Sequence, residues 1–251
     1  MRLGVFSCIS YFLPFSRPLT PLLYRTSTYI PMQSVILDSE TGKELFSLSN
    51  QERELFDLLR RAAVQLQLTT VMRVAGGWVR DKLLHSTSSD IDIVVDNMSG
   101  VEFARAIAST LTERHEMGTI GVIKSNPDQS KHLETATARI HGLEVDFVHL
   151  RSEEYAEHSR IPSVKVGTPL EDALRRDFTF NALFFNINTQ QVEDFTGKGL
   201  KDLHHRILRT PLPPLQTLCD DPLRALRAIR FATRFDCDLD GELKESLANL
   251  E

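Results

Sequence analysis

The sequence contains few cysteines, no long apolar run and no acidic residue in its first 37 positions. Cys8, Cys219 and Cys237 are odd in number and widely spaced, so they show neither a disulfide nor a metal-binding pattern and suit a reducing compartment. No apolar run reaches the ~18–20 residues that a membrane helix needs. A net charge of −5 gives no globally basic surface, so nucleic-acid binding would depend on local basic patches. The rest of the composition, 41% hydrophobic and 25% charged over 251 residues, is typical of a globular protein with a large core.

The acid-poor start of the chain resembles an organelle transit peptide. It combines Arg2, Arg17 and Arg25 with many Ser and Thr residues. Prolines interrupt it and argue against one long membrane helix: Pro14, Pro18, Pro21 and Pro31. We therefore expect residues 1–34 to direct the protein to the mitochondrion and/or the plastid, or else to form a disordered tail without an address. Initiation at Met32 would give a second, cytosolic or nuclear form.

Hydrophobic periodicity and turn signals predict alternating helices and strands. Ser49 and Glu52 form a capping box at the start of a helix over residues 50–68. Further helices are expected over 76–85, 99–115 and 169–177. The predicted strands lie at 69–75, 90–96, 118–125, 181–187 and 191–195, with a hairpin over 133–150 that turns at His141-Gly142 and a loop over 151–168.

The predicted elements indicate an α+β fold in two parts. A head with a mixed or antiparallel sheet and flanking helices is expected over residues 35–212, followed by the start of an all-helical neck over residues 213–251. The final stretch, GELKESLANLE, is a helical pattern in which we identify no C-terminal stop signal. The chain is therefore expected to be a fragment or a truncated isoform.

The stretch DIDIVVD places Asp90 and Asp92 two residues apart in a predicted strand. Residues i and i+2 of a strand lie on one face, so the two carboxylates can share divalent cations such as Mg²⁺. Asp146 supplies a third acid on the predicted hairpin, because its strand can lie beside residues 90–96. An isolated D-x-D is otherwise typical of a solvated strand end.

The stretch AGGWVRD places Gly76 and Gly77 between a strand and a helix. Glycine lets backbone N–H groups approach a phosphate closely, and a helix N-terminus favours anions. Arg80, within the first turn or so, can contact a triphosphate; the alternative is a plain turn with this arginine on the surface. GG-x-x-RD followed by D-x-D resembles the signature of the DNA polymerase β-like nucleotidyltransferases.

Two basic segments follow. In EDALRRDFTFNALFFNI, Arg175 and Arg176 can hold a phosphate, pair with acids or serve as favourable cations at a helix C-terminus. In CDDPLRALRAIRFATRF, four charged residues recur every third position and form a slowly winding polar stripe: Asp221, Arg224, Arg227 and Arg230. An adjacent apolar stripe is expected to pack on the head: Leu223, Leu226 and Ile229. Taken alone, the arginines would be a solvated face, with Asp221 as the N-cap before Pro222.

Together these motifs resemble the class II tRNA nucleotidyltransferases, the CCA-adding enzymes, particularly their eukaryotic, plant-like branch. GGWVRD, DIDIVV, GLEVDFVHLRSEEY, EDALRRDFTFNALF and DDPLRALRAIRF occur in the family's order between about residues 50 and 240. The resemblance implies a polymerase β-like head that adds nucleotides to an RNA 3′ end. Bacterial-type poly(A) polymerases share this head, so the motifs leave the product open.

The resemblance also implies roles for individual residues. Asp90 and Asp92 match the family's metal-binding carboxylates, and Asp146 stands where the family has a third catalytic acid, often Glu. The residues expected to bind the nucleotide are Gly76, Gly77, Arg80, Arg176, Asp221, Arg224, Arg227 and Arg230. The chain departs mildly from the family at Asp220-Asp221, where Glu-Asp is usual.

Within that set, Asp221 and Arg224 match the pair that reads the incoming base, and the chemistry of the bases agrees. Arg has only hydrogen-bond donors and ionised Asp only acceptors. Cytosine and adenine each offer a ring acceptor beside an amino donor, so the pair satisfies both. Guanine and uracil present a ring N–H and a carbonyl oxygen there, and the unpaired polar groups make such mismatches costly.

The implied reaction uses a two-metal Mg²⁺ site with CTP and ATP as substrates. One cation activates the 3′-hydroxyl of the RNA and the other stabilises the leaving pyrophosphate, while Asp146 either accepts the hydroxyl proton or completes the metal shell. The implied partners are the 3′ end of tRNA and nucleoside triphosphates, with no membrane and no obligate protein partner. Two alternatives stay open: a poly(A)-adding enzyme, and a truncated, inactive isoform that binds nucleotide or RNA.

Overall fold

The structure is a computed structural model that describes residues 31–88, 90–111, 121–123, 134–154 and 162–249. Residues 1–30 of the predicted targeting segment lie outside the described residues, as does the polar stretch NPDQSKH at 126–132, which the sequence indicates is a loop before the predicted hairpin. Among the residues that are described, no helix has the length and apolar character needed to cross a bilayer.

Strands make up much of the described chain. In chain order they are β1 (Val35–Leu37), β2 (Glu44–Ser47), β3 (Met72–Ala75), β4 (Ile91–Val95), β5 (Gly121–Ile123), β6 (Thr135–Ile140), β7 (Leu143–His149), β8 (Arg151–Glu154), β9 (Ser163–Val166), β10 (Phe184–Asn186), β11 (Gln191–Glu193), β12 (Ile207–Leu208) and β13 (Asp238–Leu239). Seven of them form one sheet in the order β11-β10-β3-β4-β7-β6-β5. Within this sheet β4 and β7 run parallel and the other neighbours run antiparallel, which confirms the expected α+β fold with a mixed sheet.

Helices flank this sheet and then take over toward the end of the chain. They are α1 (Asn50–Gln65), α2 (Gly77–Leu83), α3 (Gly100–Thr110), α4 (Pro169–Leu174), α5 (Gly199–His205), α6 (Pro214–Asp220), α7 (Leu223–Phe235) and α8 (Gly241–Ala248). The predicted capping box begins α1, because the Ser49 hydroxyl accepts from the Glu52 amide and the Glu52 carboxylate accepts from the Ser49 amide. The hairpin turn at His141-Gly142 is also confirmed, since both residues have positive φ between β6 and β7.

Two sequence-based expectations about local structure were wrong. The segment expected to be a loop over 151–168 contains the antiparallel hairpin of β8 and β9. Strand β8 (RSEE) has no apolar residue and the alternation in β9 (SVKV) is only 4 residues long, so the pattern that signals a half-buried strand is weak here. The last helix does have a stop residue, because α8 ends at Ala248 with Asn249 as its C-cap.

The sheet separates a large core from a smaller apolar cluster. Ile93 of β4 and Phe147 of β7 belong to the large core with residues of α1 and α3. On the opposite face, Val94 and Ala75 form the smaller cluster with Ala173 of α4. Side chains alternate between faces along a strand, so the residues between the large-core positions point toward the side that α4 partly covers.

Helix α7 packs through a different stripe from the one predicted. Leu223, Leu226 and Ile229 were expected to pack on the head, but they are 55%, 67% and 60% exposed. The residues that α7 buries are instead Arg224, Ala228 and Phe231. They follow an i, i+4, i+7 spacing, and the Phe231 ring lies 5.4 Å from that of Phe178. Aromatic packing therefore decides which side of α7 faces the head.

Candidate active site

Asp92 and Asp146 lie directly opposite each other on neighbouring parallel strands. Asp92 of β4 is the register partner of Asp146 of β7. Both residues occupy the positions between large-core residues, so both carboxylates lie on the face of the sheet away from that core. The Thr137 hydroxyl donates to Asp146 Oδ1 at 2.6 Å and helps to fix that side chain. The structure thus brings together two of the three predicted catalytic acids.

Charges of both signs surround Asp92. Burial raises the pKa of its carboxyl group, and the nearby Asp146 and Asp90 raise this pKa further, while Arg176 and Arg151 oppose the shift. Asp90 immediately precedes β4, is exposed, and is close enough to contribute to this effect. Three acids and two arginines therefore lie close enough to interact electrostatically on the face of the sheet that α4 partly covers.

The acidic residues fit a cation that is completed by phosphate oxygens. Among the described residues, no group of three or more His, Cys, Asp or Glu side chains converges as a metal cage made by protein alone. Mg²⁺ usually binds one or two carboxylates together with substrate phosphates. Asp92 and Asp146 offer hard oxygen donors side by side. The pKa of Asp92 is raised first by burial and then by the charges of Asp146 and Asp90, and a bound cation would favour the charged carboxylate against both effects.

Gly76 brings the predicted phosphate-binding turn against Arg176. Its φ of +69° favours glycine, and a Cβ built on it would lie only 2.5 Å from Arg176 Nη1. The Gly76 amide donates to the Leu183 carbonyl at 2.9 Å, which ties the turn to the segment before β10. Gly77 begins α2 beside it. The turn, Arg176 and Asp92 are therefore neighbours, as the motif order implies.

Arg80 lies in the protein interior. It is 6% exposed, its Nε donates to Asp81 Oδ1 at 2.8 Å and its Nη1 donates to Asn181 Oδ1 at 2.6 Å. Its guanidinium carbon also lies 4.6 Å from the centroid of the Phe235 ring on α7. In this structure Arg80 joins α2 to α7, so its predicted contact with a triphosphate stays a prediction.

A buried carboxylate holds the two adjacent arginines of the RRD motif. Asp172 is fully buried, and its Oδ1 accepts from Arg175 Nη2 at 2.6 Å while its Oδ2 accepts from Arg176 Nη2 at 2.8 Å. Burial alone would raise the pKa of Asp172, but the two arginines outweigh burial and keep this pKa below its ordinary value. Both guanidinium groups are therefore paired with Asp172, and this pairing fixes their orientation.

Arg224 of the predicted base-reading pair contacts the RRD segment. Its Nη2 donates to the Arg175 carbonyl at 2.7 Å, and its Nε lies 3.9 Å from Asp221 Oδ2. The Asp221 carboxylate accepts from the Leu223 amide at 3.1 Å, in the manner expected of an N-cap, although α7 begins only at Leu223. The two residues thus lie side by side at the start of α7.

The other two arginines of α7 differ in exposure. Arg227 donates through Nε to Asp177 Oδ2 at 2.8 Å and through Nη2 to the same oxygen. Arg230 is exposed, with its guanidinium carbon 5.3 Å from the centroid of the Phe231 ring. From Arg224, which is buried, through Arg227 to Arg230, the stripe winds gradually out to solvent, as a three-residue spacing on a helix predicts.

A cleft of about 480 Å³ opens beside Arg224. Glu153 of β8, Arg175 and Asp220 contribute to its lining. Burial raises the pKa of Asp220, and the nearby Arg224 opposes this effect. The cleft has both hydrogen-bond donors and acceptors, which is the lining that a nucleobase edge requires.

Sequence reasoning missed three residues that organise this site: Arg151, Asp172 and Asn181. Arg151 is the first residue of β8, and its charge acts on the carboxyl group of Asp92. Its backbone amide donates to Asp172 Oδ1 at 3.1 Å. Asn181 accepts from Arg80 and, through its carbonyl, from Arg176. Each lies inside a recognised motif, but its role depends on partners from distant segments, which the sequence alone does not place.

Comparisons with known proteins point to one family. Residues 72–209 match the family described as "Poly A polymerase head domain". The chain is 48% identical over 217 residues to "tRNA nucleotidyltransferase cca1" of Schizosaccharomyces pombe, a match that covers 84% of this chain and 43% of that protein. It is 54% identical over 183 residues to "CCA tRNA nucleotidyltransferase, mitochondrial" of Saccharomyces cerevisiae, covering 71% of this chain and 34% of that protein. The chain thus spans less than half the length of these relatives.

Solved structures show the same architecture. A CCA-adding enzyme in an apo form matches with a TM-score of 0.66 and 30% identity over 80% of this chain and 44% of that one. A Thermotoga maritima CCA-adding enzyme complexed with tRNA matches with a TM-score of 0.60 and 28% identity over 80% of this chain and 42% of that one. Matches with a TM-score of 0.60 also include CCA-adding enzyme complexes with ATP and with CTP.

Proposed function

The chain belongs to the poly(A) polymerase head-domain family of nucleotidyltransferases, with tRNA nucleotidyltransferases as relatives, and on that premise we propose that it adds C, C and A to the 3′ end of tRNA. The proposed substrates are CTP and ATP, and the proposed by-product is pyrophosphate. The observation that carries the proposal is the register pairing of Asp92 with Asp146, beside Arg176 and the Gly76 turn. This arrangement offers acid ligands and a phosphate-binding turn at one place on the sheet.

We assign residues 35–212 to the catalytic head and residues 213–251 to the start of the neck. All seven strands of the central sheet lie in the first part. The second part contributes α6, α7 and α8 and the predicted base-reading pair. Arg224 and Arg227 are among its contacts with the first part, beside the packing of Phe231 on Phe178. We propose that the two parts bind the phosphates and read the base of one nucleotide.

We propose Asp90 and Asp92 as ligands of Mg²⁺, with Asp146 beside them as a further ligand or as the base. When bound, such cations supply Lewis acidity toward the RNA 3′-hydroxyl and neutralise charge on the leaving pyrophosphate. Asp146 is held by the Thr137 hydroxyl, so one of its oxygens is oriented while the other is left for the reacting groups. Arg176 adds positive charge next to Asp92, which favours binding of a triphosphate there.

Base choice in this proposal rests on Asp221 and Arg224. The Nη2 atom of Arg224 donates a hydrogen bond to the Arg175 carbonyl, and this contact orients the remaining N–H groups of the guanidinium. An oriented arginine donates to the ring acceptor of cytosine or adenine, and the neighbouring carboxylate accepts from the amino group. Arg227 and Arg230 extend positive charge along α7, and Gly76, Gly77 and Arg80 complete the proposed nucleotide-binding set.

The test incubates the protein with Mg²⁺ and tRNAs that end before, within or after CCA, and offers each labelled nucleotide separately. Addition of two C residues and one A residue, followed by termination, is the expected result. A ladder of A residues without use of CTP would show a poly(A)-adding enzyme instead. Nucleotide binding without incorporation would show an inactive binding isoform. Omission of Mg²⁺ should abolish incorporation.

We propose a mitochondrial location. Residues 1–34 contain Arg2, Arg17 and Arg25, several Ser and Thr residues and no acid, and the Saccharomyces cerevisiae relative is a mitochondrial protein by name. Fusion of these residues to a fluorescent protein tests the proposal directly. Mitochondrial import would support the proposal. Plastid import would replace the mitochondrion by the plastid as the location, and an even cytosolic distribution would refute targeting altogether. A second fusion that begins at Met32 should stay in the cytosol or nucleus.

A further inference from the structure

We propose that Asp172 is a positioning residue that sets the triphosphate contact and the base-reading contact together. The inference rests on the proposed function, because it assumes that Arg176 meets the triphosphate and that Arg224 meets the base. Asp172 itself is fully buried in α4, so it has no exposed surface with which to contact the triphosphate or the base. Its effect would pass entirely through the arginines that it binds.

Each oxygen of Asp172 orients a different arginine. Oδ2 accepts from Arg176 Nε at 3.1 Å and from its Nη2 at 2.8 Å. Oδ1 accepts from Arg175 Nε at 2.9 Å and from its Nη2 at 2.6 Å. Paired donors from a planar guanidinium fix both the position and the rotation of the group, which a single contact does not.

The Arg176 branch leads to the phosphate side of the site. With two donors bound to Asp172, the Nη1 of Arg176 reaches the Asn181 carbonyl at 3.2 Å and lies where a Cβ of Gly76 would be. The same arginine lowers the pKa of Asp92. Loss of the Asp172 charge would release Arg176 from this position between the glycine turn and the acids.

The Arg175 branch leads to the base side. The Arg175 guanidinium is held between Asp172 and Glu153, with Nη1 donating to Glu153 Oε1 at 2.9 Å. This fixes the end of α4, where the Arg175 carbonyl accepts from Arg224 Nη2. The backbone of β8 is tied to the same carboxylate, because the Arg151 amide donates to Asp172 Oδ1. One buried carboxylate therefore supports both ends of the proposed nucleotide site.

The experiment replaces Asp172 by Asn in the full chain, which keeps the volume but removes the charge and turns one acceptor into a donor. Binding of CTP and UTP is measured by titration calorimetry, and kcat and KM for incorporation are measured for the same nucleotides. We expect CTP binding to weaken at least tenfold and the preference for CTP over UTP to fall at least tenfold. A folded Asp172→Asn protein with unchanged affinity and preference would overturn the inference.

Asp202→Asn is the matched control. Asp202 is also a buried aspartate with an arginine partner, Arg209, and accepts from the Thr179 hydroxyl. Within the part of the chain that the structure describes, it hydrogen-bonds neither Arg176 nor Arg224. It should lower thermal stability without changing nucleotide affinity or preference. An equal change in preference in this control would show a general structural effect and overturn the positioning role.

A second variant covers the case in which Asp172→Asn does not fold. Glu153→Gln removes the other acid that holds Arg175 and leaves Asp172 with Arg176 intact. It should reduce the preference for CTP over UTP at least threefold while triphosphate affinity stays constant, and an unchanged preference would refute the base-side branch.

If the wild-type chain binds nucleotides but incorporates none, the proposed function fails, while the binding data still test the role of Asp172. If it binds none, both fail.

Discussion

Arg176 occupies the space in which a side chain at position 76 would have to lie. The ideal Cβ of residue 76 would be 2.5 Å from Arg176 Nη1, so the position of this arginine requires a glycine at residue 76. Arg176 is in turn directed by Asp172. The requirement for glycine is therefore steric as well as conformational, since φ at this position is also positive.

Gly76→Ala should impair nucleotide binding more than it impairs folding. The backbone conformation at φ +69° and ψ −119° costs about 1–3 kcal/mol for a residue with a Cβ, and the new methyl group would displace Arg176. We expect KM for CTP to rise at least tenfold in steady-state incorporation assays. Gly42→Ala is the control, because Gly42 has a similar φ of +67° and nothing within 4 Å of the added Cβ. Similar losses in both variants would contradict the role of Arg176.

Asp92→Asn should abolish incorporation without destabilising the fold. Loss of a metal-ligating carboxylate removes several kcal/mol of transition-state stabilisation, so we expect a decrease of about 1,000-fold or more in kcat. Asp92 is exposed, and partial burial together with Asp146 raises the pKa of its carboxyl group, so replacing that group by a neutral amide should not destabilise the fold. Incorporation assays and thermal unfolding measure the two effects. Glu144→Gln, an exposed acid on the neighbouring strand β7, should change neither.

Arg224→Ala should blur base choice more than it slows the reaction. The arginine is oriented by the Arg175 carbonyl and adjoins Asp221, but it is not among the groups that influence Asp92. We expect the preference for CTP and ATP over UTP and GTP to fall roughly tenfold to a hundredfold in kcat/KM, the range for a lost pair of hydrogen bonds. Arg234→Ala removes an exposed arginine of the same helix and should leave base choice intact. Strong discrimination in Arg224→Ala would rule out its reading role.

The stability of the protein should fall in acid partly through Asp172. Its folded-state pKa lies below the ordinary value because Arg176 and Arg175 outweigh the opposing effect of burial. Its contribution is therefore present above the unfolded-state pKa of about 3.9 and is lost as pH falls toward the folded-state pKa. Urea unfolding at pH 6 and pH 3 should show a larger loss for wild type than for Asp172→Asn. An equal loss in both would indicate that other acids dominate.

The two sides of α7 should differ sharply in their tolerance to substitution. Leu226 is 67% exposed, so Leu226→Gln should change the free energy of unfolding by no more than about 0.5 kcal/mol. Phe231 is 6% exposed and packs with Phe178 and Phe180, so Phe231→Ala should cost about 3–5 kcal/mol. Chemical denaturation measures both. The opposite order would restore the leucine stripe as the packed side of the helix.

The sequence was sufficient to predict the parts of the site that lie within one motif or on one strand. The spacing of Asp90 and Asp92 indicated an acidic strand face, and the β strand of Asp146 was expected beside it, as the register now confirms. The capping box and the hairpin turn were equally local and equally well predicted. Such features depend on backbone periodicity and cap chemistry, which a short stretch of sequence already contains.

Features that depend on distant partners were not predictable in this way. Arg80 lies on the Phe235 ring and donates to Asn181, and neither partner is near it in sequence, so its place in the interior was not predicted. Its contact with a triphosphate stays a prediction. The packed side of α7 was assigned to Leu223, Leu226 and Ile229 because the leucine stripe was the more obvious pattern, whereas a cluster of phenylalanines from another segment decided it. Tertiary packing overrides a local pattern whenever two stripes compete on one helix.

The parallel pairing of Asp92 with Asp146 has a consequence for how the molecule folds. Parallel neighbours need a long crossover, so this contact closes a large loop. We therefore expect it to form after the local hairpins and helices. A slip of one residue between the two strands would send one carboxylate to the opposite face of the sheet. Kinetic traps with misaligned strands would therefore retain most of their secondary structure yet lack the acidic pair, and recovery of nucleotide affinity during refolding would report the correctly aligned sheet.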